Sequence, residues 1–348
     1  MSRTKFDISI NYLVEMKERN LTVDLHRVLF MILICLWHYN PGHFISSGYL
    51  GVEFFFLLSG YLMYSAIKKK TPVMDYLKKR YSQLLGKYLL VLILMHIIKG
   101  CIAAYGGTFS FIDALTSLLP ECLLLQNIGV FHSTGYLFST WYLSVLIYGG
   151  TFILLLHNNL GSKWGGVISA LIVTGTYTYL IRDFGSIECW NTIGCFYIPF
   201  WRGVAAMTIG VYIHRYIDIL NIQYNAIGAI GTILATVFTI LITITQKGLD
   251  EYVLLLLVCI VTNLFTNVYS TSMSQKLSVI HLSYCGELTY EMFLLHPFVI
   301  IFCNTMNLES RIGAVGASFT YLIVILLLSI AYKYFYERII SKLTNRQK

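Results

Sequence analysis

The segment IGAVGASFTYLIVILLLSIAY, residues 312–332, decides the fold class because its 21 residues include no charged side chain. A helix of about 20 apolar residues matches the hydrocarbon thickness of a lipid bilayer. Comparable charge-free runs occupy residues 122–162, 219–246 and 252–275. These runs predict that the chain crosses a membrane several times.

The composition of the whole chain supports the same class. Of 348 residues, 57% are hydrophobic and only 12% are charged, whereas soluble domains carry roughly 25% charged residues. A chain with so few charges cannot cover the surface of a soluble fold. We therefore predict an all-α fold, a polytopic integral membrane helical bundle of about ten transmembrane helices.

Hydropathy and helix-breaking residues place the boundaries of these helices. The predicted spans are 24–43, 48–67, 84–104, 137–157, 164–182, 195–215, 223–245, 252–271, 287–306 and 313–336. Residues 109–128 are also apolar, but they contain Asp113, Pro120 and Glu121. This segment is predicted to be an interfacial or re-entrant helix rather than an eleventh span.

The basic residues indicate the orientation in the membrane. With ten spans, 20 of the 25 Lys and Arg residues fall on the side of the N-terminus, which predicts that this side is cytoplasmic. The net charge of +8 is then a topology signal, and no nucleic-acid partner is expected. We expect a multi-pass plasma-membrane protein with a cytoplasmic segment 1–23, a transmembrane domain 24–336 and a basic cytoplasmic tail 337–348. No small-residue cleavage site follows the first helix, so no removable signal peptide is expected.

Ionisable residues within a bilayer are costly and often functional. Arg27 and His38 lie eleven residues apart in the first span, LTVDLHRVLFMILICLWHYN (21–40). Eleven residues make about three helical turns, so both side chains face one side, roughly 16 Å apart along the axis. The bland interpretation is a topology-setting arginine and a histidine satisfied at the outer interface.

The second span adds a carboxylate at a similar depth. Glu53 lies in GYLGVEFFFLLSGYLMYS (48–65), near the level of His38. Pairing with Glu53 would fix the imidazole tautomer and raise its basicity, as a general base requires. We predict this pair, with Glu53 reaching the surface as the alternative. Gly51 and Gly60 are expected to let another helix approach closely.

A basic stretch follows the second span on the side predicted to be cytoplasmic. Residues 66–87 include seven basic side chains and one acid. The run is typical of attraction to anionic lipid, and it also fits a phosphate-rich cosubstrate. Arg80, with its neighbour Lys79, is the best-placed candidate for a specific contact because it adjoins the third span.

Several of these segments together resemble a known family. The segments are the Arg27-to-His38 spacing, GVEFFFLLSGY (51–61), WYLSVLIYG (141–149) and GELTYEMFLLHP (286–297). In order and spacing they resemble the membrane acyltransferase-3 family of O-acyltransferases, from about residue 21 to about residue 335.

This resemblance implies a ten-helix enzyme that moves an acyl group, usually acetyl from cytoplasmic acetyl-CoA, to a hydroxyl of a cell-surface glycan or lipid-linked sugar. No permanently bound cofactor and no metal is expected. The residues that match the family's functional positions are His38 (catalytic), Arg27 (needed for activity), Glu53, Arg80, and the late element Tyr290, Phe293 and His296. Gln83 and Gly86 depart from the arginine and proline that many members have at these positions.

Two further residues are candidates for substrate binding or support. Trp141 begins the fourth span, where interfacial aromatic residues are also common without function. Arg202 lies in the sixth span with no charge within twelve residues on either side, so it is predicted to have a partner or to bind a ligand.

Other functions remain open on the sequence alone. A transporter or flippase of glycan intermediates also needs polar residues on such a scaffold, although no internal repeat is evident. A third hypothesis is an assembly partner without catalysis. For an enzyme, the acyl group could be acetyl or succinyl, and a covalent acyl-histidine is the main variant of the mechanism.

Overall fold

The structure is a computed structural model. It describes residues 20–40, 44–108, 110–126, 128–129, 136–193, 196–217, 225–245, 248–265 and 282–345. Most of the segments 1–23 and 337–348 is either outside this set or an extension of a terminal helix.

The described residues form helices joined by short connections. The helices are α1 Leu21–Tyr39, α2 Leu50–Lys68, α3 Val73–Tyr105, α4 Phe111–Cys122, α5 Phe138–Gly161, α6 Lys163–Phe184, α7 Ile198–Tyr216, α8 Asn225–Thr245, α9 Asp250–Leu264, α10 Leu282–Thr305 and α11 Leu308–Asn345. A two-residue antiparallel ladder, β1 Thr192–Ile193 with β2 Phe196–Tyr197, precedes α7. The all-α prediction is confirmed.

Eight of these helices are long and apolar enough to cross a membrane, namely α1, α2, α3, α5, α6, α8, α10 and α11. The remaining two predicted spans coincide with α7 and α9. α9 has 15 residues, and α7 contains Arg202 and Arg215, which lower its hydropathy. The chain is a polytopic membrane protein, and the count of ten spans stays a prediction.

The start of α3 differs from the prediction. α3 begins at Val73, eleven residues before the predicted span, so Lys79 and Arg80 lie on the helix rather than in a loop. Pro72 at the N-cap explains this start, because proline suits the beginning of a helix. α4 has 12 residues, about 18 Å in length, and is too short to span a bilayer, as predicted for this segment.

α1 is the central helix of the part that carries the site. It packs against α2, α10 and α11. α2 in turn packs closely on α7, where a Cβ atom added to Gly60 would overlap the Met207 carbonyl and one added to Gly210 would overlap the Leu57 carbonyl. The predicted close approach at Gly60 is confirmed, and it sets the distance between α2 and α7.

α5 is an irregular helix in its first half. It starts with a 3₁₀ turn, Phe138–Thr140, and contains a π-helical turn, Val145–Gly149. Such turns inside a helix often accompany functional sites. Gly161, with φ of 68°, separates α5 from α6.

Candidate active site

A cavity of about 140 Å³ lies between α1, α2, α3, α5 and α10. We call it the His38 cavity. Its lining includes Arg27, His38, Trp141, Tyr290 and Ser139, together with apolar side chains. Four of these five residues were candidates from the sequence.

Arg27 and His38 both line this cavity, so the prediction that they share one face of α1 is confirmed. The Arg27 guanidinium lies 3.4 Å from the Asp24 carboxylate and donates to the Thr289 hydroxyl of α10 at 3.1 Å. These contacts orient the cation at one end of the cavity. The imidazole lies about three turns further along the same helix.

The backbone of α1 fixes the tautomer of His38. Its Nδ1 atom lies 3.0 Å from the carbonyl oxygen of Ile34. Because a carbonyl oxygen only accepts hydrogen bonds, Nδ1 must carry the proton. Nε2 therefore keeps its lone pair and is the ring nitrogen that can accept a proton from a substrate.

A second histidine lies beside the first. The ring centroids of His38 and His296 are 5.0 Å apart, and Phe138 lies 5.2 Å from His38 and 5.7 Å from His296. Nδ1 of His296 donates to the Phe293 carbonyl at 2.8 Å. Its Nε2 is buried and has no hydrogen-bond partner among the described residues. The structure thus places His296 in contact with the predicted catalytic residue.

The predicted pairing of Glu53 with His38 is wrong. Glu53 is fully buried, and its two oxygens accept hydrogen bonds from Arg202 and, at 2.8 Å, from the Tyr177 hydroxyl. The physical reason is the cost of a buried carboxylate, which a permanently charged guanidinium offsets better than an imidazole that is mostly neutral at pH 7.

The prediction that Arg202 has a partner is confirmed by the same contact. Arg202 also donates to the Tyr49 carbonyl at 3.2 Å, and its guanidinium carbon lies 5.9 Å from the centre of the Trp141 ring. Trp141 lines the His38 cavity as well. This tryptophan therefore separates the Glu53–Arg202 pair from the cavity.

Tyr290 lines the cavity from α10, and its hydroxyl donates to the Leu84 carbonyl of α3 at 2.9 Å. Arg80 lies one turn before Leu84 and covers the Tyr76 ring at 5.2 Å. Neither Arg80 nor its exposed neighbour Lys79 lines the cavity. Their assignment to the cosubstrate stays a prediction.

Sequence reasoning missed Ser139. Ser139 lines the cavity, and its hydroxyl is buried and has no hydrogen-bond partner among the described residues. Arg27 and His38 were singled out because ionisable residues are costly within a bilayer. Serine carries no charge, so this argument does not point to Ser139.

Glu121 of α4 holds the segment that contains Ser139. The carboxylate accepts hydrogen bonds from the backbone N–H of Tyr136 at 2.8 Å and of Leu137 at 3.3 Å. Burial raises the pKa of the Glu121 carboxyl above its ordinary value, while these two N–H groups and the nearby His96 lower it. The sequence signal for this role was the presence of a charged residue, Glu121, within the apolar segment 109–128.

The site and fold together define an integral membrane protein with a histidine-containing cavity. Residues 20–334 match the family model described as an acyltransferase domain, that of the acyltransferase 3 family. Because this match covers nearly the whole chain, the protein belongs to the acyltransferase 3 family and is an acyltransferase. Comparisons with curated proteins and with solved structures gave no match.

Proposed function

We propose that the protein is an O-acyltransferase that moves an acetyl group from cytoplasmic acetyl-CoA to a hydroxyl of a polysaccharide or lipid-linked sugar across the membrane. One observation carries the proposal: Arg27 and His38 line the same cavity, about three helical turns apart. The arginine suits an anionic donor at one end, and the imidazole suits proton transfer at the other.

The proposed location is the plasma membrane, with both termini in the cytoplasm. The excess of basic residues on the side of the N-terminus supports this orientation. In that orientation Arg27 is near the cytoplasm and His38 is near the outer face. Donor and acceptor would then enter the His38 cavity from opposite sides.

In the proposed reaction, the acceptor hydroxyl attacks the thioester carbonyl while Nε2 of His38 takes the hydroxyl proton. A carbon–oxygen bond forms, the carbon–sulfur bond breaks, and the proton passes to the leaving thiolate. The Ile34 carbonyl, rather than Glu53, supplies the tautomer that this step needs. Direct transfer is the simpler route, and an acyl group on Nε2 is its covalent variant.

The Ser139 hydroxyl is our candidate donor for the oxyanion that develops on the thioester oxygen. Ser139 lines the cavity, and its hydroxyl has no hydrogen-bond partner among the described residues. A donor that is free in the resting enzyme can bond to the oxyanion without first breaking another hydrogen bond. Tyr142 also lines the cavity, but its hydroxyl already contacts Ser59 and the Phe55 carbonyl.

The acyl-CoA would be held mainly by charge. Arg27 is the cation in the cavity itself, and we propose Arg80 and Lys79 on α3 as further contacts for the phosphates. Trp141, Tyr290 and His296 surround the reacting end in this proposal, where they exclude water. Arg202 supports Trp141 from behind.

The first test is the His38→Ala variant, purified and reconstituted in bilayers with acetyl-CoA. We expect the rate of thioester cleavage with acceptor to fall roughly 10²- to 10⁴-fold, the usual contribution of a general base. The matched control is His26→Gln, which changes a histidine of the same helix that contacts Thr22 and Thr236 outside the cavity. His26→Gln should retain most of the activity.

The cellular readout is the O-acetyl content of envelope glycans, measured by mass spectrometry with and without the gene. Full acetylation by a normally inserted His38→Ala protein would refute the proposed role of His38. Loss of acetylation without the gene would identify the acceptor, and succinyl groups in its place would correct the choice of acyl group.

A further inference from the structure

A second pocket, of about 360 Å³, lies where α2 ends, α5 meets α6 and α7 ends. Its cationic lining residues are Lys68, Lys70 and Arg215, accompanied by His157 and Asn158. No acidic residue lines it among the residues that the structure describes. We call it the cationic pocket.

The cationic pocket is separate from the His38 cavity. On α5, Leu146 lines the cavity and His157 lines the pocket, and these positions are eleven residues, or roughly 16 Å, apart along the helix. The trend along α2 is the same, from Phe55 in the cavity to Lys68 in the pocket. The pocket therefore lies at the end of the bundle predicted to face the cytoplasm.

Each cation reaches the pocket from a different element. Lys68 closes α2, Lys70 follows it in a left-handed backbone conformation with φ of 49°, and Arg215 lies in the last turn of α7. Arg215 covers the rings of Tyr212 and Tyr216 at 5.8 and 5.5 Å. Positive charge is thus placed around one space, where it attracts an anion.

The helix break at Gly161 adds a further attraction for an anion. Gly161 lines the pocket directly before α6 begins at Lys163. The first backbone N–H groups of a helix lack partners within the helix, and the helix dipole places partial positive charge there. The start of α6 thus supplements the lysines, as in other phosphate sites at helix N-termini.

Asn158 adds an acceptor without a hydrogen-bond partner to the lining of the pocket. Its amide nitrogen donates to the Thr71 carbonyl at 3.1 Å, which holds the loop of Lys70 against α5. Its amide oxygen is buried and has no hydrogen-bond partner among the described residues. A phosphate ester that carries a hydroxyl would satisfy both the cations and this acceptor.

We propose that the cationic pocket binds a phosphate group that belongs to a hydroxyl-bearing ester. An anionic lipid headgroup and the nucleotide part of a coenzyme A ester share this chemistry. The inference does not depend on acyl transfer, because it concerns binding and is tested without turnover.

The test measures binding of inorganic pyrophosphate to the purified full-length protein in uncharged detergent, by thermal shift at constant ionic strength. The variant is Lys68→Gln with Lys70→Gln. Loss of two charge-assisted contacts should weaken the binding at least about tenfold. The same affinity in this variant and in the natural protein would overturn the proposal.

Two controls separate the pocket from general surface charge. Lys78→Gln removes an exposed lysine of the basic stretch 66–87 that does not line the pocket, and it should leave the affinity unchanged. Lys68→Arg with Lys70→Arg keeps both charges and should retain binding. If the Lys78→Gln variant weakened binding as much as the double Gln variant, the pocket assignment would be wrong.

Two further experiments identify the source of the phosphate. Native mass spectrometry with phosphatidylglycerol shows whether the natural protein retains a lipid that the double Gln variant loses, which would indicate the headgroup. Coenzyme A and dephospho-coenzyme A are then compared as competitors of pyrophosphate. A preference for coenzyme A, which carries the 3′-phosphate, in the natural protein but not in the double Gln variant would indicate the nucleotide. If the natural protein neither retained the lipid nor lost pyrophosphate to coenzyme A, both sources would be excluded and the proposal overturned.

Discussion

Two polar regions are separated by Trp141, and they differ in how completely their hydrogen bonds are satisfied. In the buried ion network, both oxygens of Glu53 are occupied by Arg202 and Tyr177. Nearby, Asp250 accepts bonds from the Tyr49 hydroxyl at 2.8 and 2.9 Å and from the Ser186 hydroxyl at 2.8 Å. This network has charge but offers nothing to a substrate.

The His38 cavity shows the opposite pattern. The Ser139 hydroxyl and Nε2 of His296 are buried and have no hydrogen-bond partner among the described residues. Nε2 of His38 keeps its lone pair because Nδ1 is used by the backbone. Since buried polar groups in proteins are nearly always paired, unpaired ones call for an explanation. The two regions therefore differ in unmet hydrogen-bonding capacity, and in the proposed function the unpaired groups, rather than the buried charges, lie beside the reacting atoms.

The largest effect that would test this contrast is on stability. Glu53→Gln leaves the Arg202 guanidinium buried without its counter-charge, and we expect a loss of roughly 3–5 kcal/mol in the free energy of unfolding. Denaturant unfolding in mixed micelles measures it. The double change Glu53→Gln with Arg202→Met should cost less than the sum of the two single changes, because the partners are coupled.

The same variant decides between a structural and a catalytic role for Glu53. A stable Glu53→Gln protein with a shifted pH profile of turnover would restore the carboxylate as the orienting partner of His38. A destabilised protein whose remaining active fraction keeps the original pH profile of turnover would support a structural role for Glu53.

The next effect concerns the cavity alone. Ser139→Ala removes the proposed oxyanion donor, and we expect kcat to fall about 10²- to 10³-fold with little change in KM or in stability. Ser144→Ala is the matched control, because Ser144 is buried on the same helix but does not line the cavity. Equal activity of the two variants would show that Ser139 is not the oxyanion donor.

What the sequence predicted depended on local geometry. The shared face of Arg27 and His38 follows from helical periodicity within one span, so it needed no knowledge of the tertiary fold. The membrane class followed from the charge-free runs. By contrast, the start of α3 was missed because hydropathy weighed more than the helix-starting signal of Pro72.

What the sequence did not predict was set by contacts between distant residues. The partners of Glu53, Tyr177 and Arg202, lie 124 and 149 residues away in the chain, and depth in the membrane alone could not choose them over His38. Ser139 is neutral and follows a segment held by Glu121, so only the assembled fold shows that it lines the cavity.

The smallest effect concerns Arg27. This residue has hydrogen-bond partners, like the buried ion network, and it also lines the His38 cavity. Arg27→Gln should raise KM for acetyl-CoA about tenfold, near the lower limit for one charge-assisted contact, and should change kcat less. The control is Arg182→Gln, since Arg182 is exposed and pairs with Asp183 outside the cavity. A fall in stability with KM unchanged would mean that Arg27 only joins α1 to α10 through Thr289. A raised KM in a protein of normal stability would place this cation with the donor.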